Sequence, residues 1–156
     1  MLRLDLDAMV AGLDAIGDGL SLAATDAPMR DIADACAERG AELVLDGFAS
    51  QQTPDGTGWA RRKSRLLGHP ILDLTGDLKN SSECEPGPRV DSQGFSLTFA
   101  IRDEKAIFHQ GGTKRGIPPR KMLFEDGGGA PTPWIAALDE TGQTALDAWL
   151  AAHLKG

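Results

Sequence analysis

The sequence predicts an α+β domain: a helical first half, a small antiparallel sheet with long loops, and a closing helix. Three observations predict it. Apolar residues recur at three- and four-residue intervals in the first 50 positions and again near the end, whereas around residue 97 they alternate one by one. Between these stretches stand dense clusters of turn-forming residues. At 156 residues the chain suits one domain, 1–156, divided into an acidic helical segment (1–50), a loop and strand region (51–138) and a C-terminal helix (139–156).

Leu6, Met9, Val10, Leu13 and Ile16 form an amphipathic stripe, with Asp7, Asp14 and Asp18 off it, so a first helix is expected from about residue 5 to the Gly17–Gly19 region. Thr25 or Asp26 can cap a second, with Pro28 tolerated in its first turn. Met29, Ile32, Cys36, Leu43 and Phe48 carry its stripe to about Ser50, weakened at Gly40. The run Q-T-P-D-G-T-G (52–58) is a turn, followed by Trp59 and the basic cluster Arg61, Arg62, Lys63 and Arg65. Phe95, Leu97 and Phe99 alternate with Ser96 and Thr98 as in a half-buried strand, and Val90 belongs to its partner across a Ser92-Gln93-Gly94 turn. Gly127–Pro133 reads as a loop, and the last helix follows with Leu146, Trp149, Leu150 and Leu154 as its stripe.

Charge is divided unevenly. Residues 1–46 hold ten acidic side chains against Arg3, Arg30 and Arg39, which accounts for the whole net charge of −7. That segment reads as a solvated acidic helical face. A net-acidic chain argues against sequence-specific nucleic-acid binding, and the basic loops have only Trp59 and Phe124 as nearby stacking aromatics. No apolar run approaches the roughly 20 residues of a membrane span. Asp5 and Asp7 stand where a signal peptide would carry basic residues, so export is not expected. Cys36 and Cys84 lack metal-type spacing and read as a buried and an incidental thiol in a reducing cytoplasm.

Chemistry has few candidates. His69, His109 and His153 are scattered without a second ligand at zinc spacing, so neither metal nor cofactor is expected. His109, ahead of Gln110, Gly111 and Gly112, has the most distinctive context. A base there would need a nucleophile and an orienting carboxylate, and the sequence nominates neither. Structural hydrogen bonds around a glycine turn are the favoured reading, leaving no catalytic residue assigned.

Four blocks in order carry a resemblance: F-A-S-Q-Q-T-P-D-G-T-G-W (48–59), I-L-D-L-T-G-D-L (71–78), A-I-F-H-Q-G-G (106–112) and I-P-P-R-K-M-L-F (117–124). Together they resemble the phage virion morphogenesis family, the tail-completion proteins of Mu-like phages and prophages. The chain departs from that pattern at Lys105, where a Tyr is usual, at Lys121, where a second proline is lost, and in the longer stretch after Phe124. The resemblance implies a non-enzymatic structural subunit that completes the tail at its head-proximal end. It implies a homo-oligomeric ring in the neck, sixfold where it matches a tail tube. The implied partners are tail-tube or tail-terminator and head–tail connector proteins, in the virion and, during assembly, in the host cytoplasm. The alternative is a small cytoplasmic hydrolase or binding module using the His109-Gln110 turn.

In a ring each subunit offers unlike surfaces to its two neighbours. The acidic helical face is then expected to meet Arg61, Arg62 and Arg65, or Lys114, Arg115, Arg120 and Lys121, of the next copy. Trp59, Phe108, Phe124 and Trp134 are the candidate apolar anchors, each of which could equally be a core residue of its own subunit. His109 and Gln110 complete the candidate interface. Segments 52–58, 111–119 and 127–133 are candidate arms that order on contact.

Overall fold

A computed structural model describes residues 2–3, 27–61, 68, 70–72, 75–91, 94–124 and 129–153. The expected first helix lies outside these residues, as do Arg62, Arg65, His69 and the Ser92-Gln93 turn. The described elements are β1 (Leu2–Arg3), α1 (Ala27–Ser50), α2 (Asp77–Asn80), β2 (Ser82–Asp91), β3 (Gly94–Ile101), α3 (Ala106–Gly111) and α4 (Thr132–His153). The architecture is α+β.

α1 is the central element, packed against β2 and β3 and against α4. Its buried positions Met29, Ile32, Ala33, Cys36, Ala37, Val44 and Phe48 follow the helical period. Gly40, which weakens the pattern as a sequence, is where the helix lies on the sheet. A Cβ there would stand 2.6 Å from Cys84 Sγ and 2.9 Å from the Phe99 ring. The missing side chain sets the helix–sheet distance.

The sheet runs in the order β1-β3-β2, antiparallel throughout. β1 carries no strand-like pattern and was not foreseen; two residues are too few to show one. β2 lies at the edge, which is why it tolerates Pro86 and Pro88. Its pairing with β3 is irregular between Pro86 and Val90. There Gly87 has no room for a side chain, since a Cβ would meet the Ser96 hydroxyl at 2.0 Å. Ser96, which strict alternation had placed outside, is buried, with Gly87 against its hydroxyl and Arg3 of β1 paired on its other side.

α4 begins at Thr132, earlier than expected, and the segment read as a loop to Pro133 ends short of that residue. Proline suits a first helical turn because its missing N–H would have no partner there. The buried stripe is accordingly Trp134, Leu138, Gly142 and Leu146. Trp149 and Leu150 are only half-buried, and Trp149 stacks on His153 at the helix end (4.2 Å between ring centroids). Leu154 lies outside the described residues.

One group of buried residues joins α1, β3 and α4 around Ile32, Leu97 and Leu138. A second gathers Val44, Phe48, Trp59, Leu78, Met122 and Trp134. Leu43, Phe99, Phe124 and Ala130 pack against both, so the two make one continuous interior. The first is built from regular elements. The second joins helix residues to connections, through Trp59 and Met122 with Ile71, Leu72, Leu123 and Ala130 packed against them, and all four sequence blocks contribute to it or to the bonds around it.

Candidate functional site

The connections are held by four polar side chains acting on backbone. Gln51, at φ 59 just past the end of α1, accepts the Ile71 N–H at 2.7 Å and donates to the carbonyls of Phe48 (2.8 Å) and Ile71 (3.2 Å). It ties the first block to the second. Trp59 donates its indole N–H to the Lys121 carbonyl at 2.9 Å, and Arg120 Nε donates to the Ala60 carbonyl at 2.9 Å. Those two bonds tie the first block to the fourth. Gln110 accepts the N–H groups of Met122 (2.8 Å) and Leu123 (3.2 Å) and donates to the Leu123 carbonyl, tying the third block to the fourth. Buried backbone groups outside regular structure need such partners.

The turns between these staples are closed as well. In the P-D-G turn, Thr53 N–H reaches the Thr57 carbonyl at 2.8 Å, and Gly56 adopts φ +85. Asp55 accepts the Thr53 hydroxyl and the Thr57 N–H, and the Thr53 bond first and then those to Thr57 hold its carboxyl below the ordinary range. After α3, Gly112 at φ +70 leaves no room for a Cβ, which would lie 2.8 Å from the Ile117 carbonyl. Segments 52–58 and 111–119 are therefore bonded turns rather than the open arms expected from composition; of the third, residues 127–128 lie outside the described set.

The candidate interface residues divide sharply. Trp59 and Trp134 are buried, and Phe124 is packed edge-on against Phe99 (5.3 Å) and Trp134 (5.7 Å). These three expected anchors belong to the interior of their own subunit, because the connections need large side chains to fill the space between α1 and α4. Arg120, expected as a surface cation, is 6% exposed. Gln110 is half-buried and bonded inward. Arg61, Lys114 and Arg115 are exposed. Phe108 is the one expected anchor that faces solvent, and its neighbour Ile107, which the sequence reading passed over, is more exposed still.

No family model, curated protein or solved structure matches the chain. Among the described residues no three His, Cys, Asp or Glu side chains come together as a metal site, and no helix is long and apolar enough to cross a membrane. His109 is half-buried, and its Nδ1 is enclosed without a hydrogen-bond partner among the described residues. A histidine acting as general base is normally oriented by an acceptor at that atom.

Burial lowers the His109 pKa, the charge of Arg120 lowers it further, and Asp103 offsets part of this. The unfolded chain therefore takes up the proton more readily than the native one. Stability is thus full above the ordinary histidine value of 6.5 and declines as pH falls through it towards the lower native value. Urea midpoints taken between about pH 7.5 and 5.5 should fall, and His109→Gln should flatten that slope. An unchanged slope in the variant would assign the titration elsewhere.

Cys36 and Cys84, far apart in sequence, occupy the same helix–sheet contact. Cys84 Sγ faces Gly40, one turn along α1 from Cys36, and the Cys36 thiol points at the Leu138 carbonyl 3.5 Å away. Burial and then the charge of Asp139 push Cys36 up to about 11, and burial above all pushes Cys84 up to about 12. Near pH 8 the native thiolate population should be down by about a hundredfold or more. Disulfide-reagent labelling should accordingly be slow in buffer and complete in denaturant. Rapid native labelling would show that the helix–sheet contact opens.

Proposed function

We propose that the chain is a structural subunit of virion morphogenesis that completes a phage tail at its head-proximal end, as a ring within the head–tail joining assembly. One observation carries the reading: the polar residues of the family-like blocks, Gln51, Trp59, Gln110 and Arg120, are engaged in fixing backbone. Such residues preserve a shape. A ring subunit depends on shape, because an error in one interface angle accumulates around the ring and prevents closure. The block order F-x-x-Q…P-D-G…W, T-G-x-L, H-Q-G and I-P-x-R supplies the link to tail completion, and the bonded turns supply the rigid faces that such a subunit needs.

The direct test uses tails assembled without this chain. Purified, labelled protein added to them should bind at one end, and those tails should then accept heads. Label distributed along the tube, or none at all, would overturn the proposal.

A further inference from the structure

α3 is packed inside out. None of its residues Ala106–Gly111 is buried, its polar Gln110 turns inward onto Met122 and Leu123, and Ile107 and Phe108 are 72% and 52% exposed. Leaving such side chains in water forgoes the stabilisation that their burial would bring. The helix is not free to rotate them inward. Gln110 has both ends of its amide engaged, and the His109 carbonyl accepts the Arg120 N–H at 2.6 Å. Two large apolar side chains are therefore held outward on a fixed projection. Ile117, 38% exposed, lies on the turn that follows.

This projection sits in positive surroundings. Residues 105–121 contain Lys105, Lys114, Arg115, Arg120 and Lys121 and no acidic residue. Lys114 and Arg115 are exposed, and so is Lys105, which already pairs with Asp103 at 3.8 Å beside exposed Glu104. The character of α4 is opposite: it carries Asp139, Glu140 and Asp147 with no Lys or Arg. Beside it, α1 presents Asp31, Asp34, Glu38, Glu42 and Asp46 against Arg30 and Arg39, and Arg39 already pairs with Glu42 at 2.8 Å. Between α1 and α4 runs an open groove of about 430 Å³, with half-buried Ala35, Ala137 and Ala145 along it, Thr141 and Thr144 among them, and exposed Glu140 and the Glu42-paired Arg39 at its sides.

We infer that Ile107 and Phe108 of one copy dock into the α1–α4 groove of a second copy, with Lys114 and Arg115 facing Glu140 and the acidic flank of α1. This names the neighbour contact of the proposed ring and rests on that reading. The two surfaces differ, so the contact is heterologous and each copy keeps one of each surface for the next, which is the arrangement a ring requires. The apolar pair supplies affinity and the charges supply register and encounter rate.

The test replaces Phe108 by a photoreactive phenylalanine analogue in the full chain. Isotopically labelled and unlabelled copies are mixed at high concentration and low salt, irradiated and digested. Mixed-isotope cross-links from position 108 to peptides within 132–153 or 27–50 are expected. Their yield should drop roughly tenfold in Glu140→Lys copies, because the reversed charge repels Lys114 and Arg115 and spoils both encounter and register. It should recover when the Glu140→Lys copies are mixed with copies carrying Lys114→Glu and Arg115→Glu. No intermolecular cross-link, cross-links from α3 to α3 or to any other segment, or failure of the charge swap to recover yield would each overturn the inference. The two readings fail separately. Copies that cross-link as expected but do not bind tail ends sink only the tail assignment, and copies that bind tail ends without this cross-link sink only the contact.

Discussion

Replacing Trp59 by Ala should cost about 3–5 kcal/mol, the usual range for deleting a large buried aromatic. The indole is 6% exposed and packs with Val44, Phe48, Leu78, Met122 and Trp134. Its edge meets Phe48 at 5.5 Å and 85°, and its N–H satisfies the Lys121 carbonyl. The alanine variant loses all three contributions and unties the first sequence block from the fourth. A domain of this size is stable by only about 5–15 kcal/mol, so the variant should be partly unfolded well below the wild-type denaturation midpoint. Trp59→Phe separates the terms: it keeps most of the apolar area but leaves the carbonyl without its donor, for a loss of about 1–2 kcal/mol. Urea unfolding followed by far-ultraviolet circular dichroism measures both without depending on tryptophan emission. A loss below about 1 kcal/mol in Trp59→Ala would mean that the indole is not a core residue and is available to a neighbour after all.

What the sequence revealed follows the range over which each signal acts. α1 and the β2–β3 pair were legible because their periodicities are local, running from Met29 to Phe48 with one weak point at Gly40 and from Phe95 to Phe99 without a break. The start of α4 was hidden by Pro131 and Pro133, which read as loop formers although a first helical turn accommodates proline equally well. Residue type misled most where partners are distant in sequence. Arg120 looked like one of a series of surface cations, yet its Nε meets Ala60 and its N–H meets His109. Trp59 and Trp134 looked like anchors because large aromatics favour interfaces, and nothing local shows that the space where connections meet α1 and α4 would need them. Phe108 was open to either reading, anchor or core, and its neighbour Ile107 carried no signal of its own; only the inward bonds of Gln110 reveal which side of α3 faces out.

Gly40 is the position where a small change should spread furthest. On helix propensity alone Gly40→Ala would stabilise α1 by about 1 kcal/mol. The packing reverses that sign, because the new Cβ falls 2.6 Å from Cys84 Sγ and 2.9 Å from the Phe99 ring. Overpacking of this kind costs about 1–3 kcal/mol, and the bulkier Gly40→Leu should exceed that range. Cys84→Ala removes the nearer obstacle, so the Gly40→Ala and Cys84→Ala pair should lose less than the two single variants together, a coupling that a double-mutant cycle reads directly. A stabilised Gly40→Ala would show that the sheet yields and that the contact is not tight. The same substitution tests the link from packing to assembly. α1 lies between the sheet and α4, and Ala35 on α1 shares the groove with Ala137 and Ala145 on α4. Lifting α1 off Phe99 therefore shifts one wall of that groove relative to the other. In Gly40→Leu copies that remain folded, the cross-link from position 108 should weaken even though residue 40 is buried on the sheet side and cannot touch a neighbour. Full cross-linking in such copies would show that the groove is not the docking surface, or that its width does not matter to what it holds.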